Sequence, residues 1–414
     1  MKTFDELYFE VLSRAIKERS TGFLESLGRY DPNQLDCLLN PEKKPVIWRS
    51  GPCDCGEGEA ACVQSCVFDA ISRDAAGDIQ VDSDKCVGCA RCVQECPAKA
   101  LTESKDALAV LRKIYAHEGL VYALIAPAFL GQFPGGVTPG KLRNALKRVG
   151  FDGMIEVSLF ADILTLKEAL EFDRSVTKDG DYQLTSCCCP IWIAMLRKVY
   201  STLMPHVPPS VSPMIAAGRA VKLMHPDAVT VFIGPCLAKK SEAREKDLAG
   251  TIDYVLTFAE TRDILGIMGI SPANMDDADK DHSSRAGRLY ARAGGVSEAV
   301  SETLRRISHD GSVPIRARTA DGIPACKAMI EEIANGTVTA NFYEGMGCVG
   351  GCVGGPKAII PREEGKANVE EYGSIAPYKT PIDNPYVIEM LQRLGFDSIE
   401  SLLDNHDILT RHFD

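Results

Sequence analysis

Three cysteines stand side by side in TSCCCPIW, residues 185–192, and a proline ends the run. Adjacent thiols cannot all face one site, and they are too close to form ordinary disulfides with one another. Cys187, Cys188 and Cys189 must therefore do different jobs. The chain carries sixteen cysteines in 414 residues, and most fall in clusters: residues 53–66, residues 86–96, the triple, and the pair Cys348 and Cys352. Cys236 stands alone after Gly-Pro, while Cys37 and Cys326 lie outside every motif and read as packing residues. A formal charge of -11 and a pI near 5.3 argue against a sequence-independent hold on nucleic acid, which needs a basic face. The opening MKTFDELYFEVL places acids where a secretory signal needs an apolar core, and no run reaches the roughly 18 apolar residues of a spanning helix. These features predict a cytoplasmic chain with no membrane partner, whose reduced thiols serve metal or redox chemistry.

CVGCARCVQECP gives Cys86, Cys89, Cys92 and Cys96 the C-x2-C-x2-C-x3-C-P spacing, in which three thiolates wrap one iron cubane and the fourth points to a second. Upstream, CDCGEGEAACVQSCV supplies Cys53, Cys55, Cys62 and Cys66, and the likeness of CVQSCV to CVQECP marks the duplicated halves of a two-cluster ferredoxin. Crossed ligation assigns Cys53, Cys55, Cys62 and Cys96 to one 4Fe-4S cluster, and Cys66, Cys86, Cys89 and Cys92 to the other. A pair of structural zinc sites is the alternative use of such sulfur sets. Poor in large aliphatic residues, this segment reads as too small for a core and dependent on its metal.

Elements must position these residues. Residues 1–49 show helical periodicity, residues 50–104 form the ferredoxin-like module, and residues 105–414 change to buried-strand runs (LVYALIAPAF, AVTVFIGPC, YVLTF) between amphipathic helical stretches (GKLRNALKRVG, LTLKEALEF, PMIAAGRAVKLM). That alternation predicts an α/β domain of two largely parallel sheets with flanking helices, its working loops at the carboxyl ends of strands. NPYVIEMLQRLG and IESLLDNHDILTRHF read as two closing helices.

TSCCCPIW, GPCLAKKSEA (234–243) and EGMGCVGGCVGG (344–355) resemble, in order, the three signature loops of the iron-only (FeFe) hydrogenases. IAPA (125–128), ADILTLKEALE (161–171) and ARAGGVSEA (291–299) are similar to further stretches of that family. The resemblance implies an H-cluster: a 4Fe-4S cluster linked through a cysteine to a diiron unit with carbonyl, cyanide and an azadithiolate. By match, Cys236, Cys348 and Cys352 are ligands, with Cys352 at the bridging position. The family has two cysteines before its proline, a proton relay and then a ligand. Counting back from Pro190 makes Cys189 the ligand and Cys188 the relay, whereas counting forward from Thr185 makes them Cys188 and Cys187. The proline anchor is preferred because Pro190 should begin a helix and fix the side chain before it.

Lys239 matches a lysine that pairs with cyanide, and a buried ammonium needs such an anion. Ala126, Pro127 and Ala128 match backbone around the other cyanide, with Gly234 and Pro235 flanking the second loop. Glu168 and Glu171, on one helical face, match a proton path, although a solvated acidic face has the same spacing. Met346 matches a methionine over the diiron unit. The glycines at 350, 351, 354 and 355 suit close approach of backbone to a bulky cluster.

Departures from the family touch the surroundings of the site. Gly234 stands where methionine is usual, VGGPKA follows Cys352 in place of three glycines and a glutamine, and VPPSVSP leaves Ser210 or Ser212 to replace a path serine. These changes resemble the divergent, sensory subgroups. The resemblance implies reversible oxidation of H2 to protons and electrons, a soluble electron carrier such as ferredoxin, maturation proteins for the diiron unit and, in a sensory role, a signalling partner. Hydrogenase-like iron-sulfur assembly proteins, which share the fold without a diiron unit, are the rival.

Overall fold

The computed structural model describes residues 2–20, 22–53, 55, 60–116, 119–185, 188–278, 282–404 and 407–413. Cys187, the relay in the second register of the triple, lies outside the described residues.

Val229–Gly234 is buried at every position, as a continuous apolar run must be when both faces of a strand are covered. It pairs in parallel with Val121–Ile125 on one side and Tyr254–Thr257 on the other, and Gly153–Glu156 completes the sheet beyond Val121–Ile125. The chain leaves Val121–Ile125 first to one neighbour and later to the other. This reversal opens a crevice at the strands' carboxyl ends, where Ala126 and Pro235 follow. A second sheet, also parallel, orders Ala317–Asp321, Phe342–Met346 and Gln183–Leu184. Its strands run directly into the cysteine loops at 185–189 and 347–352. Two parallel sheets were expected, but Gln183–Leu184 is too short and Ala317–Asp321 too exposed to show a strand period.

The helix Ser158–Ser175 departs from expectation. It packs against Pro213–Met224, Arg285–Leu289 and Gly295–Ile307, so it is buried nearly all round and not amphipathic. Asp162, Lys167, Glu168 and Glu171 are enclosed with it. The acidic-face alternative for Glu168 and Glu171 is thereby overturned.

At the other end, residues 400–403 form only a 3-10 turn, not the expected closing helix. The following LDNHD is rich in residues that favour turns. The tail then returns as an extended segment, with Thr410 bridged to Ser210 and Val211 N donating to Leu409 O at 3.0 Å.

The duplicated halves of the small module are visible in its backbone. Cys62 and Cys92 sit on matching helical turns, Ala61–Gln64 and Arg91–Gln94. Ala70 N donates to Cys66 Sγ and Ala100 N to Cys96 Sγ, both at 3.4 Å, and Asp69 and Lys99 share a φ of 49°. Ile47–Arg49 pairs with Leu101–Glu103, which joins residues 47–49 to the module's end. The expectation that this segment lacks a core needs correction: Ile47, Ile71, Ile79 and Leu101 form a small one, completed by Leu237 from the second cysteine loop. Leu237 adds the apolar surface that the module's own short sequence cannot supply.

An ion cluster fastens the two parts. Glu103 accepts from Lys105 at 2.7 Å and from Lys357 at 2.5 Å. Burial pushes the Glu103 carboxyl up, but the two ammonium groups outweigh it and hold it at about 2, against 4.5 for an ordinary glutamate. A carboxyl held down in the folded state stabilises above its unfolded value and loses that contribution as pH falls toward 2. Glu103→Gln should therefore lower stability by on the order of 3 kcal/mol. The urea midpoint of the variant should lie below that of the unsubstituted chain by a constant margin between pH 7 and 5. No difference at pH 7 would show that the cluster contributes nothing.

Candidate metal centre

Five cysteines from three segments, Cys188, Cys189, Cys236, Cys348 and Cys352, line one cavity of about 60 Å³, several times the space one water needs. Aliphatic and proline side chains make up most of the remaining wall, among them Ala126, Pro127, Val157, Ala161, Ile191, Pro213 and Phe232. Lys239 and Met346 also face it. Of the expected backbone cradle, Ala126, Pro127 and Pro235 line the cavity, whereas Ala128 and Gly234 do not. Ala128 is turned into the core. A Cβ on Gly234 would meet the Phe232 ring at 2.7 Å, so Phe232 fills the room that a side chain at 234 would take.

Pro190 begins the helix Pro190–Lys198 and Cys189 is its N-cap, the local geometry on which the proline anchor rests. Gly347 N donates to Cys189 Sγ at 3.2 Å, which fixes that sulfur against the third loop. Cys188 Sγ instead lies 4.0 Å from Met346 Sδ. The adjacent thiols therefore face different partners across one cavity. Trp192 holds the loop by donating from Nε1 to Thr185 O at 3.0 Å.

The second and third loops are bonded to each other, with Lys357 N donating to Pro235 O at 3.0 Å. Gly351 has a φ of +87°, and a Cβ there would meet Ala293 N at 2.6 Å and Arg292 backbone at 2.7 Å. Nearby, a Cβ on Gly354 would meet Val349 O at 1.9 Å. Gly351 and Gly355 line the cavity, where close approach to a cluster was expected, and Gly351 and Gly354 also answer contacts within the protein. Beneath the loop, the buried Cys326 donates to Met346 O at 3.3 Å, the packing role anticipated for it. Cys37 is likewise buried in the core.

Burial pushes the Cys236 thiol up to about 11 and the Cys348 and Cys352 thiols well above their ordinary value, and neighbouring cysteines add to each shift. Several thiolates in an apolar cavity are too costly without cations to neutralise them. Soft sulfur donors suit iron-sulfur chemistry, so the donor set fits a polynuclear iron group. Lys239 corrects a further expectation. Its ammonium is buried, yet it already has an anion in Glu242 at 2.7 Å.

In the small module, Cys66, Cys86, Cys89 and Cys92 line a single cavity. Cys53 and Cys55 have their sulfurs 3.3 Å apart, and the charges of Cys53 and Cys96 both act on Cys62. These neighbours follow the crossed grouping. Among the described residues, no three or more Cys, His, Asp or Glu are spaced to hold a single metal ion. The two centres adjoin: a Cβ on Gly88 would meet Leu237 O at 3.0 Å, and the charge of Cys89 acts on Cys348.

Glu168 and Glu171 lie outside the cavity wall, buried behind it on the helix Ser158–Ser175. Glu171 also borders a second, open cavity of about 350 Å³ lined by Arg174, Asp181, Tyr182 and His206. Sequence reasoning missed Lys167, whose ammonium is bonded to Glu171 and donates to Ser210 Oγ at 2.7 Å. The signal was present as a lysine next to Glu168 within an otherwise apolar stretch.

Among the described residues, no helix is long and apolar enough to cross a membrane. Comparison with known proteins matches residues 120–356 to the iron only hydrogenase large subunit, C-terminal domain, and residues 79–102 to a 4Fe-4S binding domain. The NADP-reducing hydrogenase subunit HndD of Solidesulfovibrio fructosivorans is 25% identical over 87% of this chain and 72% of its own. Iron hydrogenase 1 of Clostridium pasteurianum is 27% identical over 66% of this chain, which spans only 56% of that protein. A cytosolic Fe-S cluster assembly factor from Schizosaccharomyces japonicus is 32% identical, but over 32% of this chain and 31% of its own. Among solved structures, a variant of the FeFe-hydrogenase HydA1 from Chlamydomonas reinhardtii shares the fold with a TM-score of 0.60 at 22% identity, covering 72% of this chain and 94% of that one. The family match spans more than half of the 414 residues, and the chain belongs to the iron-only hydrogenase family as a divergent member with a 4Fe-4S module ahead of its large domain.

Proposed function

We propose that the chain catalyses the reversible oxidation of H2 to protons and electrons at an H-cluster. The observation that carries this reading is the single apolar cavity lined at once by Cys188, Cys189, Cys236, Cys348, Cys352 and Lys239. Cys189, Cys236, Cys348 and Cys352 would hold the 4Fe-4S part, and Cys352 the link to the diiron unit. When bound, the group supplies heterolytic cleavage of hydrogen and an outlet for electrons. Cys188, facing the cavity without sharing the Cys189 contact, would hold and pass the proton. A thiol suits that work because its pKa shifts readily with its surroundings. Glu168 and Glu171 would carry the proton on, and Glu171 reaches the open cavity at the surface. Lys239, fixed by Glu242, would present its ammonium to the anionic part of the group.

The apolar wall would keep bulk water from the reacting centre and strengthen each electrostatic contact within it. Electrons would leave through the cluster held by Cys66, Cys86, Cys89 and Cys92, whose loop touches Leu237, and then through the one held by Cys53, Cys55, Cys62 and Cys96. A soluble carrier such as ferredoxin would receive them, and maturation proteins would deliver the diiron unit.

Slow turnover in a hydrogen-sensing role is the finer reading. Its support is the altered surroundings of the site: Gly234 with Phe232 in its place, and Lys357 committed to Glu103. The assembly-protein reading draws on a match to only 32% of the chain and leaves the cavity-facing Cys188 without a task. Infrared spectra of protein loaded with the diiron complex test the proposal. Carbonyl and cyanide bands that shift under hydrogen are expected, and a spectrum without those bands would favour the assembly role.

A further inference from the structure

Lys167 is a buried cation placed on the route by which protons are proposed to leave. Its side chain is 3% exposed and that of Glu171 5%, and the two form an ion pair one helical turn apart. Lys167 also donates to Ser210 Oγ at 2.7 Å, and Ser210 Oγ lies 3.4 and 3.5 Å from the Glu171 carboxylate oxygens. An ammonium can only donate. The Ser210 oxygen therefore accepts from Lys167, and its own hydrogen is left to point at Glu171. Both bonds run toward the carboxylate, which holds Glu171 as the acceptor at the end of a one-way chain.

We infer that Lys167 is a positioning residue that favours the ionised form of Glu171 and aligns it at the mouth of the proton route, and so sets the pH at which that route passes protons. The inference rests on the proposed function for the direction of flow, but the Glu171 state it describes exists whether or not the diiron unit is present. Other groups facing Glu171 are few. Glu168 and Arg174 share its helix, Ser210 approaches from the segment after 207, and Asp181, Tyr182 and His206 border the same open cavity. Burial pushes the Glu171 carboxyl up and prevails, with the charge of Lys167 the largest influence opposing it, ahead of Arg174 and Ser210. Without the ammonium, only Arg174 and Ser210 would oppose burial.

The consequence for flow has a definite sign. A proton reaching Glu171 must neutralise the partner of a buried ammonium, which is costly because it leaves that cation unpaired. The pair therefore opposes delivery to Glu171, and a fall in pH eases it. Within the proposed route, the same pair would slow the transfer of protons onto Glu171.

The test follows the carboxyl stretch of Glu171 by infrared titration in the 414-residue chain carrying its iron-sulfur clusters but no diiron unit, with Glu171→Gln identifying the band. In Lys167→Met the midpoint should rise by about 1–3 pH units. Lys167→Arg, which retains the charge, should restore it. Lys167→Gln, which can still bond to Ser210, keeps the test available if the methionine variant fails to fold, and should show the rise. In protein loaded with the diiron complex, the pH profile of hydrogen–deuterium exchange should move with the carboxyl midpoint. A Glu171 midpoint unchanged in both neutral variants overturns the inference. So does a profile that stays fixed while the midpoint moves. Failure of the hydrogenase reading would appear separately, as absent carbonyl and cyanide bands with the Glu171 shift intact.

Discussion

Alanine at position 352 should abolish hydrogen turnover, a loss of at least about 10³-fold, or some 4 kcal/mol of barrier. The carbonyl and cyanide bands should vanish from the infrared spectrum with it. The loop does not rely on that sulfur for its shape. Val353 N donates to Ala291 O and Gly355 N to Cys352 O, each at 3.0 Å, and Gly351 is pressed against the Arg292 backbone. Removing one sulfur from a buried position in this frame subtracts a ligand and leaves the backbone in place. Loss of bands with an unchanged thermal midpoint would assign Cys352 to the link. Bands and turnover that survive in Cys352→Ala would remove it from that role.

Cys188→Ala should have the next largest effect, lowering turnover by about 10²–10⁴-fold, the usual worth of a positioned acid or base. The infrared bands should remain. This pairing of outcomes separates relay from ligand, because a lost ligand removes the group and a lost relay only starves it of protons. Cys189→Ala should give the opposite pattern, since Cys189 is held by Gly347 N and caps the helix that Pro190 begins. If Cys188→Ala lost the bands and Cys189→Ala kept them, the triple would have to be counted from Thr185, and Cys187 would become the relay.

How far the chain could be read without coordinates depends on the kind of constraint each residue obeys. Ligand sulfurs were legible because spacing within a loop is a local property. CVGCARCVQECP and CVGGCVGG state their geometry in consecutive residues, and the parallel strands around Val121 and Val229 advertise themselves as unbroken apolar runs. Lys239 and Lys240 were harder to read. Lys240 is paired far along the chain with Asp106 and Glu260, and although Lys239 is paired with the nearby Glu242, the sequence shows only an ordinary lysine pair. Lys167 was missed for the same reason: its burial depends on three other helices closing around Ser158–Ser175. The tail at 407–413 was misread because helical spacing survives in its sequence while its backbone bonds go to the 209–211 segment. In the glycine-rich third loop the residue type was anticipated, and Gly351 and Gly355 do line the cavity, but the contacts of Gly351 and Gly354 with neighbouring backbone were not legible.

The central claim is that thiols from three separate loops meet around one iron cubane. Its most direct measurement is the iron content of anaerobically reconstituted protein without the diiron unit, compared with that of the double variant Cys236→Ala/Cys348→Ala. The account predicts a difference of about four irons per chain, with the electron paramagnetic resonance signals of the small module retained. Equal iron in the two proteins would contradict it.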